Sequence, residues 1–97
     1  MPTYIILINW TQKGIENVKE SPGRLDLAKK AFQAAGAELK EFYLVMGRYD
    51  MVVVAEAPDD ETVAKLALAI GSAGAIRTET LRAFTEDEYR KIIAALS

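Results

Sequence analysis

The spacing of apolar positions divides the chain into four strand patterns. Residues 3–9 read TYIILIN, a run of β-branched and aromatic residues typical of a strand covered on both faces. Residues 38–46 and 51–57 form two further strand patterns, and Gly47 and Asp50 between them suit a tight turn. Residues 75–84 mix apolar, threonine and charged positions, as expected of an edge strand. The middle pair predicts a β-hairpin.

Three longer segments carry apolar residues at the spacing of three and four that marks one face of a helix. The first begins at Ser21-Pro22, a capping hydroxyl followed by a first-turn proline, and Gly36 is its expected end. The second begins at residues 58–61, with acidic residues near its positive end, and Gly74 is its expected end. The third begins at a capping box over residues 85–88. Its apolar face consists of Tyr89, Ile92, Ile93 and Leu96.

A shorter helical segment is also expected over residues 10–18, capped by Thr11 and weakened by Gly14. The order is therefore βαββαβ with a terminal helix, in one domain over residues 1–97. Right-handed crossovers favour an α+β, ferredoxin-like arrangement, in which two helices cover one face of a four-stranded antiparallel sheet. The predicted core under the helices consists of Phe32, Phe42, Leu44, Val53, Leu66 and Ile70.

Alternation along the hairpin leaves a second sheet face without helices. If Met46 pairs with Met51, that face carries Glu41, Tyr43, Val45, Val52, Val54 and Glu56. Full burial of a Val or Ile side chain is worth roughly 1.5 to 3 kcal/mol, so a cover for this apolar centre is expected. A second copy of the chain is the simplest cover, which predicts a homodimer. The C-terminal helix is the alternative cover, and it could also dock at the subunit boundary.

Composition excludes several kinds of chemistry. The 97 residues include no cysteine and no histidine, so the chain cannot supply a thiolate nucleophile, a His general base or a sulfur- or histidine-ligated metal. No metal and no cofactor are expected. The formal charge of -2, without a basic cluster, argues against nucleic acid as a partner. Apolar runs are far shorter than the roughly 20 residues of a membrane span, and no leader is visible, so a cytoplasmic protein is expected.

Residues 46–60 (MGRYDMVVVAEAPDD) resemble the signature of the GYD domain family. Further similar stretches are residues 7–11 (LINWT) with Gly14 and Ile15, residues 19–22 (KESP) with Arg24, residues 71–72 and residues 77–84 (RTETLRAF). The resemblance implies a dimeric α+β barrel, a fold shared with small monooxygenases, isomerases and ligand-sensing domains of bacterial regulators. It implies no particular activity.

Six residues are candidates for a ligand site between two paired sheets, namely Asn9, Trp10, Tyr43, Glu56, Arg77 and Arg82. A phenol and a carboxylate on the open face can orient a ligand or move a proton. Each of the six also has a structural interpretation, as packing, a cap or an ion pair across the interface. Gly47, Tyr49 and Asp50 are interpreted as turn residues, and the acidic residues 59–61 as a helix start.

The leading functional hypothesis is a homodimeric module that binds a small organic molecule in a pocket between its sheets. One alternative is a cofactor-independent monooxygenase or isomerase of the dimeric α+β barrel type, with Tyr43 or Glu56 as acid or base. The other is a purely structural dimer with no ligand. Sequence alone leaves open whether the protein is an enzyme.

Overall fold

The computed structural model describes residues 1–97, which form four strands and four helices. The strands are β1 (Thr3–Trp10), β2 (Glu38–Leu44), β3 (Met51–Glu56) and β4 (Ile76–Ala83). The helices are α1 (Gln12–Glu16), α2 (Ser21–Ala34), α3 (Asp60–Gly71) and α4 (Glu86–Ala94), and a 3-10 turn (Val18–Glu20) precedes α2. None of these helices is both long enough and apolar enough to cross a membrane.

The strands form one antiparallel sheet in the order β2-β3-β1-β4. Side chains alternate along β1 and β3, so that every second residue is buried beneath α2 and α3 and the intervening residues are half-buried. This arrangement confirms the predicted ferredoxin-like α+β fold. The terminal strand β4 is an edge strand, as its mixed composition predicts.

The core lies between the sheet and the two helices. It is built on Tyr4, Ile6, Ile8, Met51, Val53 and Ala55 from the sheet and on Phe32, Val63 and Leu66 from the helices. Phe42 and Ile70 are partly buried against it, as predicted. Leu44, however, was wrongly predicted to be core and is 69% exposed, because it is the last residue of an edge strand and no helix covers it.

The hairpin register differs from the one assumed from sequence. Leu44, rather than Met46, lies opposite Met51, and a bulge falls between Leu39 and Glu41. The connection therefore spans residues 45–50, and Met46 is 98% exposed within it. A shift of two residues preserves the alternation, so the two faces near the turn keep their predicted residues.

Helix ends follow local capping chemistry in most cases. Asp59 caps α3 by accepting a bond from the Thr62 backbone N–H at 2.9 Å, and Thr85 forms the predicted capping box with Glu88. Ser21 is not a cap, because the 3-10 turn runs directly into α2 and makes Ser21 its first residue. Helix α3 ends at Gly71, and Gly74 lies beyond it, in the connection to β4.

The C-terminal helix α4 extends from the end of β4 without burying its apolar face. An apolar stripe along this helix consists of Tyr89, Ile92 and Ile93, and Leu96 continues it just beyond the end of α4. Each of the four side chains is between 46% and 70% exposed. Helix α4 therefore does not cover the second face of the sheet within one chain.

Candidate functional site

The face of the sheet opposite α2 and α3, here called the open face, has an apolar centre. Ile5 lies between Val54 on one neighbouring strand and Leu81 on the other, and Leu7 lies opposite Val52. Four of these five side chains are half-buried and Leu81 is exposed. The patch is contiguous across three strands, as a docking surface requires.

Polar groups surround this apolar centre. Tyr43, opposite Val52, donates its hydroxyl to the Glu41 carboxylate at 2.7 Å. This bond and the negative charge of Glu41 raise the pKa of the Tyr43 hydroxyl. Asn9 lies directly opposite Arg77, and neither side chain forms a hydrogen bond within the chain.

The six candidate residues do not come together in one chain. Glu56 lies opposite Thr3, whereas Asn9 is six residues further along β1, which separates them by roughly 20 Å at the usual rise of a strand. Four of the six share the open face. Asn9 and Arg77 lie at one end, Glu56 lies at the other end, and Tyr43 lies on the β2 side. Only Asn9 and Arg77 are immediate neighbours.

Trp10 and Arg82 lie on the opposite side of the sheet, where Trp10 is half-buried and Arg82 is exposed. Trp10 continues the alternation of Tyr4, Ile6 and Ile8 and packs against the core. Arg82 lies opposite Tyr4, with its guanidinium carbon 5.6 Å from the centre of that ring. Trp10 lies an even number of residues from the buried Tyr4, which places it on the core side of β1. Asn9 lies an odd number of residues away and therefore falls on the open face.

The connection between β2 and β3 is tied to β1 through Asp50. The backbone N–H of Asp50 donates to the Ile8 carbonyl at 2.9 Å, and its Oδ2 accepts from the Trp10 backbone N–H at 3.0 Å. Gly47 has a φ of 123°, which disfavours any residue with a β-carbon. Tyr49 donates its hydroxyl to Glu79 on β4 at 2.9 Å. These contacts give Gly47, Tyr49 and Asp50 structural roles.

The acidic residues at the start of α3 are also used within the chain. Asp59 caps the helix, and Asp60 accepts a 2.5 Å hydrogen bond from the buried Tyr4 hydroxyl. Burial, followed by the bond to Asp60, raises the pKa of Tyr4 to about 12. No group of three or more acidic, cysteine or histidine side chains is placed to hold a metal ion.

A cavity of about 340 Å³, here called the helix-side cavity, lies between α2, α3 and the sheet. Its walls include the aromatic rings of Trp10, Phe32 and Phe42, and its polar residues are Ser21, Arg24 and Thr78. The sequence interpretation missed this cavity. The sequence signal for this cavity is the small size of the residues that face it from both helices, namely Ala28 and Ala31 of α2 and Ala67 and Ala69 of α3.

The chain is similar to known proteins in both sequence and fold. A protein of Thermus thermophilus, named glutamine synthetase and cystathionine beta-lyase binding protein, is 37% identical over 84 residues, covering 86% of this chain and 88% of that protein. A solved structure from the same organism is 28% identical, with a TM-score of 0.56 over 88% of this chain and 95% of that one. The Mycobacterium tuberculosis leucine response regulatory protein shares the fold at 17% identity, with a TM-score of 0.62 over 89% of this chain and 54% of that one.

The family model described as GYD domain matches residues 4–93. The match includes nearly the whole sheet, the connection with Gly47, Tyr49 and Asp50, and most of α4. It agrees with the similarity of residues 46–60 to the family signature. The chain therefore belongs to the GYD domain family.

Proposed function

We propose that this protein is a homodimeric binding module that docks on a metabolic enzyme. The observation that carries the proposal is the presence of two uncovered apolar surfaces on different elements, the open face of the sheet and the stripe on α4. A two-fold dimer that pairs open faces uses the first and leaves the second for another partner.

The open face suits self-association because it is apolar at its centre and polar at its margin. Ile5, Leu7, Val52 and Val54 lose their remaining water contact when a second sheet covers them. The polar margin, with Tyr43 bound to Glu41, then remains beside solvent. This division between an apolar core and a polar rim is typical of protein interfaces.

The stripe on α4 suits a protein partner with a hydrophobic groove. Amphipathic helices bind such grooves through side chains spaced three and four residues apart, as Tyr89, Ile92, Ile93 and Leu96 are. The relative that is 37% identical is named for binding glutamine synthetase and cystathionine beta-lyase. We propose the same two enzymes, from the organism that encodes this chain, as its partners.

The test uses purified protein with each purified enzyme in isothermal titration calorimetry. We expect one or both enzymes to bind, and the double substitution Ile92→Gln with Ile93→Gln to weaken binding at least tenfold. Lys91→Gln is the matched control, because Lys91 is exposed on the other side of α4, and this variant should bind normally.

Sedimentation of the double variant separates two roles of α4. A dimer that no longer binds enzyme supports the proposal, whereas a monomer assigns α4 to the subunit boundary. Failure of both enzymes to bind the wild-type protein would remove the proposed partners and favour the purely structural dimer.

A small-molecule pocket between the paired sheets is the second candidate. Asn9 and Arg77 favour it, because they are neighbours on the open face whose side chains have no hydrogen-bond partner in the chain. Tyr43 and Glu56 would contribute from the partner sheet or from the margin. A monooxygenase or isomerase gains less support, because the Tyr43 hydroxyl is already bonded to Glu41 and Glu56 lies at the opposite end of the open face from Asn9 and Arg77.

A further inference from the structure

We propose that the helix-side cavity binds a small amphiphile, with an apolar body and a single carboxylate held by Arg24. This site lies on the opposite side of the sheet from the proposed dimer face. It is therefore independent of the enzyme-docking proposal, and neither the dimer nor α4 is needed to form it.

The size of the cavity favours a ligand. Protein cores are packed with few gaps larger than a water molecule, whereas ligand pockets have volumes of roughly 300 to 1,000 Å³. At about 340 Å³, the helix-side cavity lies in the range of ligand pockets. Small alanine side chains on the facing sides of α2 and α3 keep the helices from filling it.

The chemistry of the walls restricts what that ligand can be. Of the 21 residues that line the cavity, 18 are hydrophobic, so the body of a ligand must be apolar. Arg24 is the one charged residue among them, and no acidic residue contributes to the wall. A cation would therefore find no counter-charge there, whereas an anion would find one.

The bonding of Arg24 points to a carboxylate. Its Nη2 is 2.9 Å from the Glu20 carboxylate at the surface, but its Nη1 is buried and has no hydrogen-bond partner. Buried polar groups are nearly always hydrogen-bonded, and a charged donor without an acceptor is especially unfavourable. A carboxylate in the cavity supplies the acceptor that Nη1 lacks once the Arg24 side chain turns this nitrogen toward the cavity, because no surface of Nη1 is open to it beforehand. Ser21, one turn earlier on α2, adds a hydroxyl at the same end of the cavity.

Octanoate, octan-1-ol and octylamine are the probes, because they share an apolar chain and differ in charge. We expect calorimetry to show one octanoate bound per chain, about tenfold or more tighter than octan-1-ol, and no binding of octylamine. Equal affinity for octanoate and octan-1-ol would overturn the role of Arg24.

Two variants test the site itself. Arg24→Gln should reduce octanoate affinity to that of octan-1-ol while leaving octan-1-ol affinity unchanged. Ala31→Phe, which fills the cavity, should abolish binding of both. Circular dichroism confirms that each variant is folded.

The competing occupant is the apolar stripe of α4 from a second copy. If octanoate fails to bind the wild-type protein, or binds Arg24→Gln as well as it binds the wild type, the carboxylate site is overturned. Octanoate binding to the Ile92→Gln, Ile93→Gln double variant but not to the wild type would likewise overturn it, and would assign the cavity to α4. Neither result depends on whether glutamine synthetase or cystathionine β-lyase binds.

Discussion

A β-carbon added at Gly14 would lie 1.9 Å from the carbonyl oxygen of Ala75. Here α1 packs directly on the connection that leads into β4. The Ala75 carbonyl also accepts a 3.0 Å hydrogen bond from the Thr11 backbone N–H, and the Thr11 hydroxyl donates to the Gly74 carbonyl. Gly14 lowers the helix propensity of α1, as its sequence predicts, yet this close backbone approach requires it.

Replacing Gly14 with Ala should therefore destabilise the protein. Its methyl group must displace the Ala75 backbone or break the Thr11 bond, and overpacking of this kind typically costs about 1 to 3 kcal/mol. Gly23→Ala is the matched control, since a β-carbon there meets nothing within 4 Å and should stabilise α2 by about 0.5 to 1 kcal/mol. Urea denaturation of both variants measures the difference. Equal free energies of unfolding would contradict the close approach.

Replacing Asp50 with Ala should remove the bond that anchors the β2–β3 connection to β1. The Trp10 backbone N–H is partly buried and would lose its acceptor, a loss that costs about 1 to 3 kcal/mol. Tyr49→Phe, a change at the neighbouring residue of the same connection, removes only an exposed bond to Glu79 and should cost less than about 0.5 kcal/mol. Thermal denaturation distinguishes the two. Comparable losses would mean that Asp50 has no special anchoring role.

Replacing Leu66 with Ala should cost about 2 to 5 kcal/mol, because its side chain is buried between α3 and the sheet. Leu68→Ala is a control of identical chemistry in the same helix, and that side chain is 76% exposed. We expect a change below about 0.5 kcal/mol for the control. Chemical denaturation measures both variants, provided that the unfolding free energy depends on denaturant concentration with the same slope in each. Similar losses of unfolding free energy in the two variants would contradict the orientation of α3.

Some features of this fold could be predicted from the sequence and others could not. Alternation identifies the strands and both faces of the hairpin, and capping identifies the starts of α3 and α4, because those signals are local. The exposure of Leu44 depends on where the helices end over the sheet, and the need for Gly14 depends on a segment that is distant in the sequence. The helix-side cavity depends on the distance between α2 and α3. Periodicity within either helix carries no information about that distance.

Tyr4 should make stability depend on pH in the alkaline range. In the folded chain its pKa is raised to about 12 by burial and by Asp60, from an ordinary value of 10.0, while Arg82 acts in the opposite sense. The unfolded chain therefore loses this proton first, and the stabilisation present below pH 10 is lost as the pH rises to about 12. Tyr4→Phe should flatten that decline in melting temperature. Tyr89→Phe, an exposed control, should retain it, and an unchanged slope in Tyr4→Phe would contradict the prediction.

The open face should hold two copies of the chain together. Val54 lies at its centre, opposite Ile5, and a lysine there would place a charge inside the proposed interface without a counter-ion. We expect Val54→Lys to sediment as a folded monomer of 10.7 kDa at concentrations where the wild type has twice that mass. Leu68→Lys introduces the same charge on the outer side of α3 and should remain a dimer. The stripe on α4 is still intact in the Val54→Lys monomer. Enzyme binding by this variant therefore distinguishes loss of the dimer from loss of the docking surface. A wild-type protein that sediments as a monomer, or a Val54→Lys variant that remains a dimer, would exclude pairing through the open face.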